Sequence, residues 1–264
     1  MTRVRETVYD RSFYSAIDVW ARDSAEEIVP IVTTLIRPLS VVDLGCGTGT
    51  WLATFAQHGV EKYLGVDGAH VDRSTLKIDA SRFVAADLTA PVSIGGERFD
   101  LAVSLEVAEH LPERFATVLV DSLVSLAPVV LFSAAIPLQG GADHVNERWQ
   151  AYWAQLFAER QFVVVDAIRP RVWNNSKVAS FYAQNMLLYV HEATLRQLPA
   201  LEREREHTRD WALDIVHPRH YLIYASNQHL SLRATLRLLP RLFAGTVLRR
   251  SQRVTSRLKK VAGS

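Results

Sequence analysis

The chain has 264 residues, of which 48% are hydrophobic and 22% charged, an ordinary globular composition that excludes a disordered, collagen-like or coiled-coil chain. A single cysteine, Cys46, excludes an intramolecular disulfide framework and a multi-cysteine zinc site, and places the chain in a reducing, cytoplasmic setting. The net charge of +2 conceals an asymmetry: residues 1–214 hold 28 acidic and 20 basic side chains, whereas residues 215–264 hold 10 basic and no acidic ones.

The first residues are charged from the start and lack the apolar core of a secretory signal. Residues 10–36 read as one or two helices forming an N-terminal cap (1–37). From residue 38 to 192, apolar runs alternate with helical patterns, the mark of a mostly parallel sheet covered on both faces. Strands are predicted at Ser40–Leu44, Tyr63–Val66, Arg82–Ala86, Phe99–Leu105 and Val129–Ile136, and helices at Thr50–His58, Pro112–Leu126 and Trp149–Arg160. The long uncharged stretch Ser122–Ala142 contains Pro128, Pro137 and two glycines, which suits a buried strand with turns rather than a membrane span. Phe162–Ile168 and Met186–His191 read as a closing strand pair around a polar and aromatic insertion, Arg169–Asn185. Residues 193–264 read as a helical extension with a basic tail. Its Leu- and Arg-rich segment Leu230–Leu248 suits packing on the domain or on a second copy in a homodimer, or a weak contact with a membrane surface or polyanion.

The most informative segment is Val41-Val42-Asp43-Leu44-Gly45-Cys46-Gly47-Thr48-Gly49-Thr50-Trp51. Glycines directly after a buried strand let the backbone turn sharply and approach a ligand. Asp67 ends the second predicted strand 24 residues after Asp43, where a carboxylate can accept both hydroxyls of a ribose. Asp87 ends the third, placed to accept from an adenine amino group. Three acidic strand ends side by side mark the edge where open α/β sheets bind ligands.

These residues resemble class I S-adenosylmethionine-dependent methyltransferases, whose first motif has a strand, an Asp and three alternating glycines. The resemblance covers roughly residues 38–192 and implies a Rossmann-like fold with a seven-stranded, mostly parallel sheet. It further implies a cofactor site built from Asp43, Gly45, Gly47, Gly49, Asp67, Asp87, Leu88 and Leu105, with S-adenosylmethionine as cofactor.

Methyl transfer to a hydroxyl needs alignment, exclusion of water and help with the departing proton. Glu106-Val-Ala-Glu109-His110 after the fourth strand, with His144 after the fifth, resembles the metal site of small-RNA 2′-O-methyltransferases. That resemblance implies Glu106, Glu109, His110 and His144 as ligands of Mg²⁺ or Mn²⁺, with Glu109, His110 and His144 acting in catalysis. A metal-free alternative stays open, in which the Glu-His pair caps a turn and His144 is a general base. Trp149, Trp153, Trp173, Tyr182, Asn185 and Tyr14 offer aromatic faces beside amides, suited to a sugar acceptor; Trp149 and Trp153 also fit the buried stripe of a helix. The text around them resembles bacterial glycan and natural-product O-methyltransferases. The resulting expectation is an O-methyltransferase of a sugar, glycoside or oligosaccharide hydroxyl, with a non-sugar metabolite as the alternative. RNA is disfavoured because the net-negative body shows no basic-aromatic stripe. A scaffold protein without catalysis is disfavoured by the intact Glu/His set.

Overall fold

The computed structural model describes residues 11–225, with side chains from Val19 to Leu222. The helices are α1 (Arg11–Ile36), α2 (Thr50–Gln57), α3 (Ala116–Leu126), α4 (Gln150–Ala158), α5 (Arg169–Val172), α6 (Ser180–Asn185), α7 (Glu192–Leu195), α8 (Pro199–His207) and α9 (Pro218–Ala225). The strands are β1 (Ser40–Leu44), β2 (Lys62–Asp67), β3 (Phe83–Ala85), β4 (Leu101–Leu105), β5 (Val129–Ser133), β6 (Phe162–Val165) and β7 (Leu187–His191). They form one seven-stranded sheet in the order β3-β2-β1-β4-β5-β7-β6. Every pair from β3 to β5 is parallel, and β7 runs antiparallel to both β5 and β6.

Alternation along the strands builds two cores. Val41, Val103, Leu131 and Leu188 face α1 and α2, while Val42, Ala102, Val130 and Leu187 face α3 and α4. Helix α1 buries Ala21, Ala25, Ile28, Val29 and Val32 at helical spacing in the first core. It stops where Arg37 turns left-handed (φ 53) ahead of Pro38.

Several predicted strands are longer than the observed ones, because periodicity reports burial and not pairing. Strand β5 ends at Ser133, the last residue with a partner in β4, although Ala134, Ala135 and Ile136 remain buried. Strand β6 ends at Val165, opposite Leu188, rather than at Ile168.

Described residues on either side of the expected boundaries at 37 and 192 contribute to the same two cores. The compact unit that holds the sheet extends to His220. Leu201 of α8 is fully buried in the first core and Leu213 in the second. Arg169, 2% exposed, grips both carboxylate oxygens of Asp166 at 2.9 and 2.6 Å and donates to the Leu213 carbonyl at 2.7 Å. These contacts draw residues 193–220 into the sheet's own packing. The expectations for Leu230–Leu248 and the basic tail lie outside the described residues, as does the side chain of Tyr14, whose backbone belongs to α1. Among the described residues, no helix is long and apolar enough to cross a membrane.

Asp100 fastens the entry of β1 to that of β4. Its Oδ2 accepts from the Leu39 and Ser40 amides and the Ser40 hydroxyl, each at 2.9 Å. Asp100→Ala is expected to lower stability by about 1–2 kcal/mol, since these bonds are charge-assisted but solvent-exposed. A shift of the urea midpoint at constant slope measures it, and an unchanged midpoint would show that the staple carries no stability.

Candidate active site

The parallel strands β1, β2, β4 and β5 deliver their carboxyl ends to one edge of the sheet, and Asp43, Asp67, Glu106, Glu109 and His110 lie at or just beyond three of those ends. After β1 the chain turns through Gly45, Gly47 and Gly49 at φ 86, 53 and 82, conformations that L side chains rarely adopt. At Gly47 a Cβ would project into space with no atom within 4 Å, so the backbone itself lines an opening. The loop is stitched to β2 by the Gly45 amide donating to the Val66 carbonyl at 2.7 Å.

Asp67, the last residue of β2, accepts from the Gly47 amide at 2.7 Å and the Gly68 amide at 2.6 Å. Its carboxylate therefore sits beside the glycine turn with lone pairs to spare. Asp43 is 3% exposed and accepts no hydrogen bond from any described residue. Burial, then the charge of Asp67, pushes its carboxyl well above the usual carboxylate range. A buried carboxyl without a donor beside a glycine cradle fits a cationic group such as an ammonium. Burial, with Asp43 and Asp67 nearby, also pushes the Cys46 thiol up, which makes it a poor nucleophile. Asp87 is exposed at the start of the loop after β3 and accepts from the Thr89 amide and hydroxyl at 2.9 and 2.7 Å. Those bonds lower its pKa. Leu88 and Leu105 are both 8% exposed.

Across the edge, Glu109, His110 and His144 bring one ligand atom each within 4.8 Å of one another. Glu109 is fully buried, and neither carboxylate oxygen makes a hydrogen bond of good geometry. Burial, then Glu106, raises its pKa well above the usual range, against a smaller lowering by the nearby Glu109 and Ala135 amides. His144 Nε2 lies 4.0 Å from Glu109 Oε1, and the rings of His110 and His144 meet edge to face with centroids 4.9 Å apart. The pKa of His110 is drawn down by desolvation and then by His144. An orphaned buried carboxylate facing two imidazoles fits a divalent cation by its donor chemistry.

Glu106 is the correction to the expected four-residue set. Its backbone is left-handed (φ 54), so the helical spacing that would align it with Glu109 and His110 never forms; a 3-10 turn begins only at Ala108. The Glu106 carboxylate accepts from Gln139 Nε2 at 2.7 Å and Asn185 Nδ2 at 3.2 Å. Burial raises its pKa, and the bonds from Asn185, Ser133 and Gln139 pull against that rise.

The aromatic candidates disperse. Trp153 is 2% exposed and packs on Phe132 at 5.1 Å, so it belongs to the core and not to an acceptor surface. Its i+4 neighbour Phe157 shares the same stripe. Trp149, just ahead of α4, is 40% exposed. Trp173 packs against His217 at 4.6 Å and lines a cleft with Asp166, Arg169, Pro170, Ile215 and Val216. Tyr182 is buried against Trp51 at 5.2 Å, and desolvation followed by the charge of Glu106 raises its pKa. Asn185 is buried in the amide network with Gln139 and Glu106. Sequence reasoning missed Glu147, whose Oε1 lies 3.0 Å from His144 Nδ1. The i+3 spacing of His144 and Glu147 was the available signal, but without a helix it carried no geometry.

The sheet order, the single antiparallel strand, the glycine turn and the acidic ends of β1 and β2 together define the class I methyltransferase architecture. A family model described as a methyltransferase domain matches residues 19–175, and the chain belongs to that family. Ubiquinone biosynthesis O-methyltransferases resemble it over part of their length. One from Cereibacter sphaeroides is 34% identical over 87 residues, 30% of this chain and 33% of that protein. One from Azorhizobium caulinodans is 31% identical over 87 residues, covering 30% and 32%. The chain thus spans about a third of the length of the curated relatives it matches. Among solved structures, magnesium protoporphyrin IX methyltransferase from Synechocystis PCC 6803 with bound SAM superimposes with a TM-score of 0.51 at 20% identity, over 70% of this chain and 86% of that one. An O-methyltransferase family protein from Burkholderia thailandensis gives 0.50 at 14% identity, over 68% and 57%.

Proposed function

We propose that the protein is an S-adenosylmethionine-dependent O-methyltransferase acting on a hydroxyl of a sugar, glycoside or oligosaccharide, assisted by a divalent cation. The observation that carries this reading is the cluster of Glu109, His110 and His144 at the same sheet edge as the glycine turn. S-adenosylmethionine, when bound, supplies an electrophilic methyl on a sulfonium. Asp67 would hold the ribose hydroxyls, Asp43 the ammonium side, and the exposed Asp87 the adenine edge. Glu109, His110 and His144 would hold a cation, which supplies Lewis-acid activation of the acceptor hydroxyl. With two imidazoles and one carboxylate, and the Glu106 carboxylate engaged by Gln139 and Asn185, the donor set suits Mn²⁺ better than Mg²⁺. In the metal-free alternative, His144 Nε2 would take the hydroxyl proton as the O–C bond forms and the sulfonium S–C bond breaks, leaving a neutral thioether. The sugar assignment leans on the exposed Trp149 and loses the support of the buried Trp153.

A second reading is favoured by the partial match to ubiquinone biosynthesis O-methyltransferases: a non-sugar metabolite of that kind as acceptor. A mass-shift screen over oligosaccharides and quinone precursors, with and without EDTA, separates the two. Methylation of a sugar in a cofactor-dependent manner is the expected result; product only from the quinone precursors would replace the sugar reading.

A further inference from the structure

The loop between β5 and α4 carries His144, and its internal bonds fix which way that imidazole faces. Glu147 Oε2 accepts from the Leu138 amide at 2.7 Å, and Glu147 Oε1 accepts from the Gly140 amide at 2.9 Å. Oε1 also meets His144 Nδ1 at 3.0 Å. A carboxylate accepting two amide hydrogens on its two oxygens has no hydrogen to give to a ring nitrogen. Nδ1 must therefore carry a hydrogen and donate it, which in the neutral ring leaves Nε2 with its lone pair.

Two further features keep that nitrogen aimed and open. Gln139 lies between the two amides that hold Glu147, and its side chain anchors the loop to the sheet edge. It donates to Glu106 and accepts from Asn185 Nδ2 at 2.8 Å and Gln184 Nε2 at 3.2 Å. Gly141 faces the ring: a Cβ there would stand 2.2 Å from His144 Nε2 and 2.4 Å from Cε1. Any side chain at residue 141 would cover the nitrogen or force the ring off Glu147.

We infer that Glu147 is the positioning residue of this site, fixing His144 in the Nδ1–H tautomer so that its Nε2 lone pair faces Glu109 and His110. A carboxylate behind a histidine raises the basicity of the far nitrogen and holds the ring plane, whether that nitrogen binds a cation or takes a proton. The assignment rests on the reading of His144 as an acceptor-side residue, and it gives Glu106 a role as the loop's anchor through Gln139.

The test reads the ring directly, on the full chain labelled with ¹⁵N-histidine and kept in EDTA. Long-range ¹H–¹⁵N spectra distinguish the two tautomers, and the His144 signals are those missing from His144→Ala. The wild-type protein is expected to show hydrogen on Nδ1, and Glu147→Ala to show Nε2–H or a mixture. Glu147→Gln, which keeps an acceptor oxygen, is expected to retain the wild-type pattern. In turnover, Glu147→Ala is expected to lower kcat by about 10- to 100-fold with an unchanged KM for S-adenosylmethionine, and Glu147→Gln to recover much of it. A wild-type His144 with hydrogen on Nε2 overturns the inference without any variant, and so does a His144 spectrum unchanged in Glu147→Ala. An expected ring pattern with unchanged kcat in Glu147→Ala overturns the positioning role. Absence of methyl transfer to every acceptor would count against the proposed function alone, because the ring spectrum is read without turnover.

Discussion

Asp67→Ala is expected to weaken S-adenosylmethionine by about 100-fold, the equivalent of losing two charge-assisted hydrogen bonds in a half-dry site. The Asp67 side chain is only 14% exposed, and each oxygen already takes one backbone amide, from Gly47 and Gly68. An ionised carboxylate has about four acceptor positions, so two remain for a pair of ribose hydroxyls without displacing the turn. The substitution removes those contacts together with the bond that pins Gly47. Asp87→Ala is expected to weaken binding less, because Asp87 is exposed and its charge is screened by water. Titration calorimetry measures both, with circular dichroism to confirm that the sheet is intact. Equal affinity of wild type and Asp67→Ala would remove this strand end from the cofactor site.

His144→Ala is expected to cost at least about 100-fold in methyl transfer, the scale of losing acid–base assistance, while leaving cofactor affinity unchanged. Among the described residues, His144 meets Glu147, Glu109 and His110 rather than the glycine turn. EDTA sorts the two chemistries of the cluster. Activity lost in EDTA and restored by Mn²⁺ assigns Glu109, His110 and His144 to a cation, and Glu109→Gln should then be equally inactive. Full activity in EDTA with His144→Ala inactive leaves His144 as a metal-free base. Full activity in both conditions removes the cluster from the reaction.

The glycine-turn edge of the sheet was legible in the chain because it is local. Asp43, the three glycines and Asp67 sit at the ends of adjacent parallel strands, and a parallel sheet forces such ends to one edge whatever else the protein does. The apolar runs likewise marked the two-sided core, since residues buried on both faces of a sheet leave an unbroken hydrophobic signature.

The cluster of carboxylates and imidazoles beyond β4 and β5 was legible only as a list of residue types. Glu106 and Glu109 are three apart, a spacing that means one face only in a helix, and the left-handed backbone at Glu106 keeps it outside the 3-10 turn that begins at Ala108. Trp149 and Trp153 are four apart, yet one lies exposed ahead of α4 and the other is in the core against Phe132. Glu147 became a partner of His144 only because the amides of Leu138 and Gly140 hold it from a loop without periodicity. The sequence alone thus determined the sheet and the glycine turn with its acidic strand ends, through hydrophobic alternation and glycines that act over a few residues. Which carboxylates and imidazoles meet beyond β4 and β5 was decided by tertiary structure, because loop dihedrals and long-range hydrogen bonds have no period to be read.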